Sequence, residues 1–379
     1  MKEIISVTAL FIAVNSCSFS QTQKSKFDIT TIQVGKGASS VEIADFDQNG
    51  KPDIVVANTE DSSLTILLNA GNRKFIQAAG SPFFAGHFPN DINIADFNKD
   101  GNLDIALANH EEKYFTVLVG NGKGQFKASP CSPFAVQVKP HTHGVVSADF
   151  NGDGNLDIAT DSWAVDSIVI LSGDGKGNFT NPVYYGTGKH PYQRLRTGDF
   201  NKDGKTDIVT TNLDGNTVTI LSGKGKGGFS KQLFDAGNTP FGVAVGDING
   251  DGNIDLAIIN SPTISGGKSG KDGLTILLGD GEGNFSLLKG SPFDTGLGPT
   301  RVAIGDLNND GINDIAVSNY KSNFVSVYYM DKNGLQSSTQ LPIGKGSDGI
   351  AIFDLDGDGK KDIIATSSNE NSVTIFFGK

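Results

Sequence analysis

The chain has 379 residues, of which 37% are hydrophobic and 49 are glycine, and its 24 phenylalanines far outnumber its two methionines and one tryptophan. This composition is typical of an all-β protein with many tight turns, and no stretch has the periodicity of a long helix. The formal net charge of −11 and the lack of a basic run argue against nucleic acid as a partner.

The first residues have the pattern of an export signal. A short basic start is followed by an apolar run from Ile4 to Val14 and by small residues up to Gln21. The run has the length of a signal-peptide core and is too short to span a bilayer, so we expect an extracytoplasmic protein without a transmembrane span. The expected organisation is a signal peptide over residues 1–20, a short linker over 21–26 and one domain over 27–379.

Two routes of processing are open. Val14-Asn-Ser-Cys17 resembles a bacterial lipobox, which would place a lipid anchor on Cys17, whereas Ser18-Phe-Ser20 before Gln21 resembles an ordinary signal-peptidase site. By either route Cys131 is left without a disulfide partner, because the chain has only two cysteines. Stability would then come from packing and metal binding.

A ten-residue motif recurs along the rest of the chain. Asp199-Phe-Asn-Lys-Asp-Gly-Lys-Thr-Asp-Ile208 is one of seven copies, and successive copies begin 48 to 59 residues apart. Self-similarity at this period indicates a repeat architecture. The copies begin at Asp45, Asp96, Asp149, Asp199, Asp247, Asp306 and Asp354.

Each copy has the oxygen spacing of a calcium loop. In the second copy Asp96, Asn98, Asp100 and Asp104 occupy positions 1, 3, 5 and 9, and Gly101 at position 6 permits the sharp turn. Oxygen ligands without His or Cys favour Ca²⁺ over zinc or copper. The alternative is an Asx-rich turn that needs no metal. Seven such loops, each with at least three carboxylates, favour calcium because the bare charges would repel one another.

The predicted calcium ligands are the side chains at positions 1, 3, 5 and 9, for up to seven ions. They are Asp45, Asp47, Asn49, Asp53, Asp96, Asn98, Asp100, Asp104, Asp149, Asn151, Asp153, Asp157, Asp199, Asn201, Asp203, Asp207, Asp247, Asn249, Asp251, Asp255, Asp306, Asn308, Asp310, Asp314, Asp354, Asp356, Asp358 and Asp362. These positions hold 22 of the 42 acidic residues, so seven bound Ca²⁺ would change the formal net charge from −11 to +3. An EF-hand would have a bidentate Glu at position 12, whereas here the residue at that position lies in an apolar run. The loop therefore leads into a strand.

The segments between the motifs read as short strands. In the repeat that begins at Lys189, the predicted strands cover Tyr192–Phe200, Asp207–Thr211 and Thr217–Leu221, and a glycine hairpin from Gly223 leads into a fourth. The second and third strands are nearly continuous apolar runs, as in sheets that are buried on both faces. Four short strands in each repeat of about fifty residues predict the blades of a β-propeller.

The two ends of the chain are predicted to close the ring. The last copy stops at Gly378, after its third strand, and lacks a fourth. The segment Phe27–Gly35 aligns with fourth strands such as Phe179–Gly186. We therefore expect an all-β, seven-bladed propeller with four antiparallel strands per blade, in which the N-terminal strand completes the last blade and removes an exposed edge.

The motif Asp-Phe-Asn-x-Asp-Gly-x-x-Asp-Ile, followed by Ala-Val-Ala-Asn-like strands, resembles the FG-GAP or VCBS repeat over nearly the whole mature chain. The resemblance implies a seven-bladed propeller like the integrin α-subunit head, with Ca²⁺ in the loops between first and second strands. In the first blade the implied ligands are Asp45, Asp47, Asn49, the carbonyl oxygen of Lys51, and Asp53. Adhesins, exported enzymes and proteins of no known activity all contain this repeat, so the resemblance implies a fold and a metal but no ligand.

A ligand site is expected on the face opposite the motif loops. All five histidines, at positions 87, 110, 141, 143 and 190, fall in loops of that face. Tyr114 lies there too, as do the predicted ligand-binding residues His141, His143, Trp163, Tyr192, Arg194 and Arg301. The aromatic side chains would stack on a sugar and the arginines would bind a carboxylate. The two predicted site histidines would act as acid or base, or bind a transition metal with His87 or His190.

Two classes of function follow. The preferred interpretation is an exported, calcium-stabilised module for binding or adhesion, with a protein or carbohydrate ligand on the face opposite the calcium loops. The alternative is a propeller enzyme, such as a polysaccharide lyase, that uses the His, Tyr and Arg residues of that face. A purely structural surface protein is a third possibility. No Ser-His-Asp or paired-carboxylate signature stands out, and the sequence leaves the ligand and the oligomeric state open.

Overall fold

The computed structural model of the chain describes residues 26–136, 141–266 and 269–379, which form seven antiparallel sheets of four or five strands. The predicted signal peptide, Cys17 and all but the last residue of the predicted linker lie outside these residues and stay predictions. Within the described ranges, no helix is long and apolar enough to cross a membrane. Cys131 is exposed and makes no disulfide there.

Each sheet is one blade, numbered here in chain order, with its strands given from first to fourth. Blade one contains β2 (Ala38–Ala44), β3 (Asp53–Asn58), β4 (Ser63–Gly71) and β5 (Lys74–Gln77), with β6 (Phe83–Phe84) also paired to β4. Blade two contains β7 (Pro89–Ala95), β8 (Asp104–Asn109), β9 (Tyr114–Gly120) and β10 (Phe126–Ala128), with β11 (Phe134–Ala135) paired to β9. Blade three contains β12 (Val145–Ala148), β13 (Asp157–Ser162), β14 (Ser167–Gly173) and β15 (Phe179–Gly186).

The remaining blades repeat the same order. Blade four contains β16 (Pro191–Gly198), β17 (Asp207–Asn212), β18 (Thr217–Gly223) and β19 (Phe229–Asp235). Blade five contains β20 (Pro240–Gly246), β21 (Asp255–Asn260), β22 (Gly273–Gly279) and β23 (Phe285–Leu287), with β24 (Phe293–Asp294) paired to β22. Blade six contains β25 (Pro299–Gly305), β26 (Asp314–Asn319), β27 (Phe324–Asp331) and β28 (Gly334–Pro342). Blade seven contains β29 (Ser347–Phe353), β30 (Asp362–Ser367), β31 (Ser372–Gly378) and β1 (Phe27–Gln33).

The seven blades form a closed ring. Each first strand contacts the first strands of the two neighbouring blades, so these strands surround a common axis. The N-terminal strand β1 pairs antiparallel with β31 from Phe27 opposite Gly378 to Gln33 opposite Ser372. The predicted seven-bladed architecture and its closure by the N-terminal strand are therefore confirmed.

Phenylalanines of the motif join neighbouring blades. Phe46, at position 2 of the first copy, packs edge-to-face on Phe126 of the fourth strand in blade two, with ring centroids 5.5 Å apart. The backbone carbonyl of Phe46 also accepts a hydrogen bond of 2.9 Å from Gly124 in the glycine hairpin of blade two. The same ring contact recurs three times, between Phe97 and Phe179, Phe150 and Phe229, and Phe200 and Phe285. The motif and the glycine hairpin thus form one inter-blade contact.

We expect deletion of residues 27–34 to unfold or aggregate the protein. The deletion removes the partner of β31, exposes a strand edge and removes the contact between Phe27 and Phe376, whose ring centroids are 6.3 Å apart. Size-exclusion chromatography and thermal unfolding followed by circular dichroism measure the effect. Deletion of residues 21–25, which leaves β1 intact, is the control; equal melting temperatures for the two deletions would refute the closure argument.

Candidate functional site

The motif copies form the loops between first and second strands, and these loops lie on one face of the ring because every blade has the same strand order. Two positions of the loop adopt left-handed backbone conformations. In the first copy these are Gln48 with φ of 59° and Gly50 with φ of 80°. A Cβ at position 6 would be strained by this φ, which explains glycine there in all seven copies.

The aspartate at position 9 ties each loop to the third strand of its blade. Asp53 is fully buried, and its two carboxylate oxygens accept backbone hydrogen bonds from Phe46 at 2.8 Å and from Asn69 at 2.7 Å. The six other copies repeat this pair of hydrogen bonds. Burial raises the pKa of Asp53 to about 6, against the opposing effect of these hydrogen bonds.

The other carboxylates of the loop converge on the same region. Asp45 accepts backbone hydrogen bonds from Asn49 at 3.1 Å and from Gly50 at 2.8 Å, so part of the loop is a self-bonded Asx turn. One oxygen from each of Asp45, Asp47 and Asp53 lies within 4.8 Å of the others. Asp354, Asp356 and Asp362 of blade seven repeat this arrangement. A set of hard oxygen ligands at this spacing fits Ca²⁺.

The opposite face holds a group of three imidazoles. His110 follows β8, and His141 and His143 precede β12. The ring centroid of His110 lies 4.8 Å from that of His143 and 5.3 Å from that of His141. One nitrogen from each ring lies within 4.8 Å of the others. His141 and His143 were expected to bind a transition metal with His87 or His190, whereas the structure places His110 beside them.

A buried carboxylate holds His143. The Nδ1 atom of His143 lies 2.8 Å from Oδ2 of Asp161, and both side chains are fully buried. The Oδ1 atom of Asp161 accepts backbone hydrogen bonds from His143 at 2.7 Å and from Gly144 at 2.8 Å. The Nε2 atom of His143 has no hydrogen-bond partner among the residues that the structure describes.

The surroundings favour neutral imidazoles at His110 and His141. Burial lowers the pKa of His110 to about 4, and the neighbouring His143 and His141 add to the shift. Burial, with the nearby His143, also lowers the pKa of His141. Neutral imidazole is the form that accepts a proton or binds a metal ion.

Aromatic rings extend this group across blades three and four. Trp163 begins a short 3₁₀ turn, Trp163–Val165, and its ring centroid lies 5.1 Å from His141 and 4.7 Å from His190. The ring centroid of Tyr192 lies 4.1 Å from that of His143. His141 has a φ of 104°, an uncommon conformation that the surrounding packing must hold. We call His110, His141, His143, Trp163, His190 and Tyr192 the aromatic patch.

The two predicted site arginines are buried in first strands, which surround the axis of the ring. Arg194 is 4% exposed, and its Nη1 atom donates a hydrogen bond to the fully buried carboxylate of Asp91. The Nη1 atom of Arg301, a residue 5% exposed, lies 3.8 Å from the same carboxylate. Arg196 lies 4.0 Å from the other oxygen of Asp91. The first strands of blades two, four and six thus meet around one buried acid.

Two further acids complete this axial network. The Nε atom of Arg301 lies 3.6 Å from Asp348, and the half-buried Glu42 belongs to the same electrostatic group. Burial raises the pKa of Glu42 to about 7, although Arg196 opposes the shift. Asn90 connects the network to the aromatic patch, because it donates a hydrogen bond of 2.9 Å to the carbonyl of His143 and accepts one of 2.6 Å from Arg301.

A closed ring of seven four-stranded blades, with an acidic loop at the same corner of every blade, defines a seven-bladed β-propeller of the repeat type. The chain belongs to the family of FG-GAP-like repeat proteins, since that repeat matches residues 45–107, 96–160, 199–258, 264–317 and 306–365. No curated protein matches the chain significantly in sequence.

Solved propellers resemble the chain over most of its length. A lectin from Agrocybe aegerita, described as recognising non-reducing terminal N-acetylglucosamine, has a TM-score of 0.59 and 20% identity over 90% of this chain and 86% of its own. BBS1N, solved in complex with ARL6DN, has a TM-score of 0.62 and 12% identity over 93% and 97%. Virginiamycin B lyase from Staphylococcus aureus has a TM-score of 0.57 and 12% identity over 93% and 99%. Identities this low show a shared fold alone.

We expect Asp91→Ala to lower the free energy of unfolding by about 3–5 kcal/mol, because it leaves a buried arginine without its partner. Urea unfolding measures the change. The control is Asp294→Ala, which breaks a surface ion pair with Lys271 whose side chains are both 77% exposed and should cost at most about 1 kcal/mol. Equal losses in the two variants would contradict a structural role for the axial network.

Proposed function

We propose that the protein is an extracytoplasmic, calcium-stabilised binding module that recognises a carbohydrate on the aromatic patch. The observation that carries this proposal is the grouping of Trp163, His190, Tyr192 and His141 side by side on the face without motif loops. Aromatic ring faces cover the apolar faces of sugar rings, and imidazole nitrogens exchange hydrogen bonds with hydroxyl groups. Four of the six predicted ligand-binding residues belong to this patch.

The geometry favours a neutral sugar over an acidic one. The arginines expected to bind a carboxylate, Arg194 and Arg301, are buried beside Asp91 and leave little surface for a ligand. A ligand lying on the patch would therefore interact with aromatic rings and imidazoles and would have no salt bridge from these side chains. The fold supports this class of ligand, since the structurally similar lectin is described as recognising N-acetylglucosamine.

Calcium belongs to the scaffold in this proposal. The loops would hold up to seven ions through the side chains at positions 1, 3, 5 and 9, which are the predicted ligand set. An ion in the loop would also stabilise the third strand, because the carboxylate of the position-9 aspartate already accepts the backbone hydrogen bonds that join loop and strand. The export signal at the chain start would bring the protein to compartments with millimolar Ca²⁺.

The second candidate is a lyase-type enzyme acting on a polysaccharide. The observation that favours it is the contact of His110, His141 and His143 with one another and of His143 with Tyr192, which places imidazoles that can accept a proton beside a phenol that can donate one. Tyr192, which packs against His143, would be the proton donor to the leaving oxygen. A lyase is also among the proteins that share the fold.

We expect chelation with EGTA to lower the melting temperature strongly. With a dissociation constant of about 0.1 mM per loop, about 1 mM Ca²⁺ contributes about 1.4 kcal/mol per site, or about 10 kcal/mol for seven independent sites. Differential scanning calorimetry gives the shift, elemental analysis should give near seven Ca²⁺ per chain, and Asp356→Ala should remove one. Re-addition of Ca²⁺ is the control. A melt that is insensitive to EGTA would argue against calcium in the loops.

We expect binding to one or more neutral glycans on an array, with the affinity reduced at least tenfold by Trp163→Ala because the stacking surface is lost. Calorimetric titration of the best glycan in saturating Ca²⁺ gives the ratio. The control is Phe84→Ala, which removes a ring that is 66% exposed outside the patch.

Three outcomes would count against this ligand class. Binding that survives Trp163→Ala would place the glycan elsewhere on the protein. Unsaturated products from a uronic-acid polymer, lost in His141→Ala, would favour the lyase. Binding to proteins with no binding to glycans would retain the module and exclude a carbohydrate ligand.

A further inference from the structure

The three imidazoles of the aromatic patch form a possible ligand set that differs in chemistry from the calcium loops. His110, His141 and His143 offer nitrogen atoms within 4.8 Å of one another, and no carboxylate belongs to this cluster of three. His110 and His141 are half-buried, whereas His143 is fully buried. Nitrogen ligands favour borderline transition metals, and oxygen ligands favour Ca²⁺.

The hydrogen bonds of His143 determine which of its nitrogens can bind a metal. Asp161 accepts two backbone hydrogen bonds on Oδ1, and its Oδ2 atom faces Nδ1 of His143 at 2.8 Å. A carboxylate that accepts backbone hydrogen bonds in this way acts as an acceptor, so the proton of the imidazole lies on Nδ1. In the neutral ring the Nε2 atom then carries the lone pair.

The environment of this nitrogen is a second observation that points to a ligand, beside the clustering of the three imidazoles. The Nε2 atom of His143 is buried and has no hydrogen-bond partner in the described part of the chain. A buried polar atom without a partner loses hydration and gains nothing in return. A cation bound to this atom would restore the lost interaction.

We propose that His110, His141 and His143 bind one zinc ion. Zinc–nitrogen bonds of about 2.0–2.1 Å in a tetrahedron place ligand atoms about 3.3 Å apart, so the group must contract from its present spread. Rotation of the half-buried rings of His110 and His141 allows this contraction. Asp161 is the positioning residue for His143. A carboxylate that accepts a hydrogen bond from the nitrogen that does not bind zinc orients the imidazole and increases its basicity.

The site would keep one coordination position open. Three protein ligands leave a fourth position for water or for an oxygen atom of a ligand, as in zinc sites that exchange their ligands. Because His110 and His141 are half-buried, this position would face solvent beside Trp163. Zinc binding does not depend on the proposed carbohydrate ligand, so the two proposals can fail separately.

The test is a zinc titration of the full-length protein. Protein is treated with phenanthroline, which removes transition metals and leaves Ca²⁺ in place, and zinc is then added in millimolar Ca²⁺ under calorimetry. We expect one zinc ion per chain. His110→Gln and His141→Gln should each weaken binding more than 100-fold, and Asp161→Asn should weaken it about 10- to 100-fold. His87→Ala, which changes a histidine outside the group, should leave the affinity unchanged.

A second readout separates ligation from loss of folding. Co²⁺ in place of zinc should give the visible absorption of a tetrahedral site, and His110→Gln should abolish it while the melting temperature in Ca²⁺ stays near that of the unchanged protein. Retention of one zinc in the double variant of His110 and His141, equal weakening by His87→Ala, or no binding by the unchanged protein would overturn the proposal.

Discussion

The structure depends on one buried carboxylate in each blade. The aspartate at position 9 accepts one hydrogen bond from the start of its loop and one from the third strand, and all seven copies are placed in this way. A carboxylate that is removed from water is costly unless its oxygens are satisfied, so the loop is closed over it and not left open to solvent. In four of the copies the residue at position 2 is a phenylalanine that packs on the next blade. Loop geometry, blade packing and any ion in the loop are therefore coupled through this residue.

Closure of the ring has a second consequence, because it forces the seven first strands together around the axis. Charged side chains in those strands can only pair with one another there. Asp91 is surrounded by Arg194, Arg196 and Arg301, and three acids face three arginines along the axis when Glu42 and Asp348 are included. Acids and arginines of different blades thus face one another around the axis. It also explains why arginines that look like ligand-binding residues in the sequence are buried in the structure.

The sequence predicts the blades and the closure well, because both follow from local patterns that are repeated. Strand β17 was expected over Asp207–Thr211 and covers Asp207–Asn212, and the pairing of β1 with β31 was expected from a missing fourth strand. The sequence does not predict which side chains meet across blades. His110 joins His141 through the contact of blades two and three, and these residues are 31 positions apart without any shared motif. An acidic residue within a first strand, such as Asp91 in Pro89–Ala95, was the available sign of the axial network.

The two faces of the ring differ in the chemistry of their side chains, and this difference bears on function. One face presents carboxylates and amides in seven similar loops. A feature that is repeated in every blade is better suited to a structural role than to the binding of a single ligand. The other face presents imidazole and aromatic rings in only a few blades, and such asymmetry is what a specific ligand requires. Hard oxygen and borderline nitrogen donors also select different cations, so ions on the two faces would not compete. Asn90 joins the aromatic patch to the axial network, because its side chain donates to the carbonyl of His143 and its backbone carbonyl accepts from Arg301. A change that displaces Arg301 would therefore act on the backbone of His143 through Asn90.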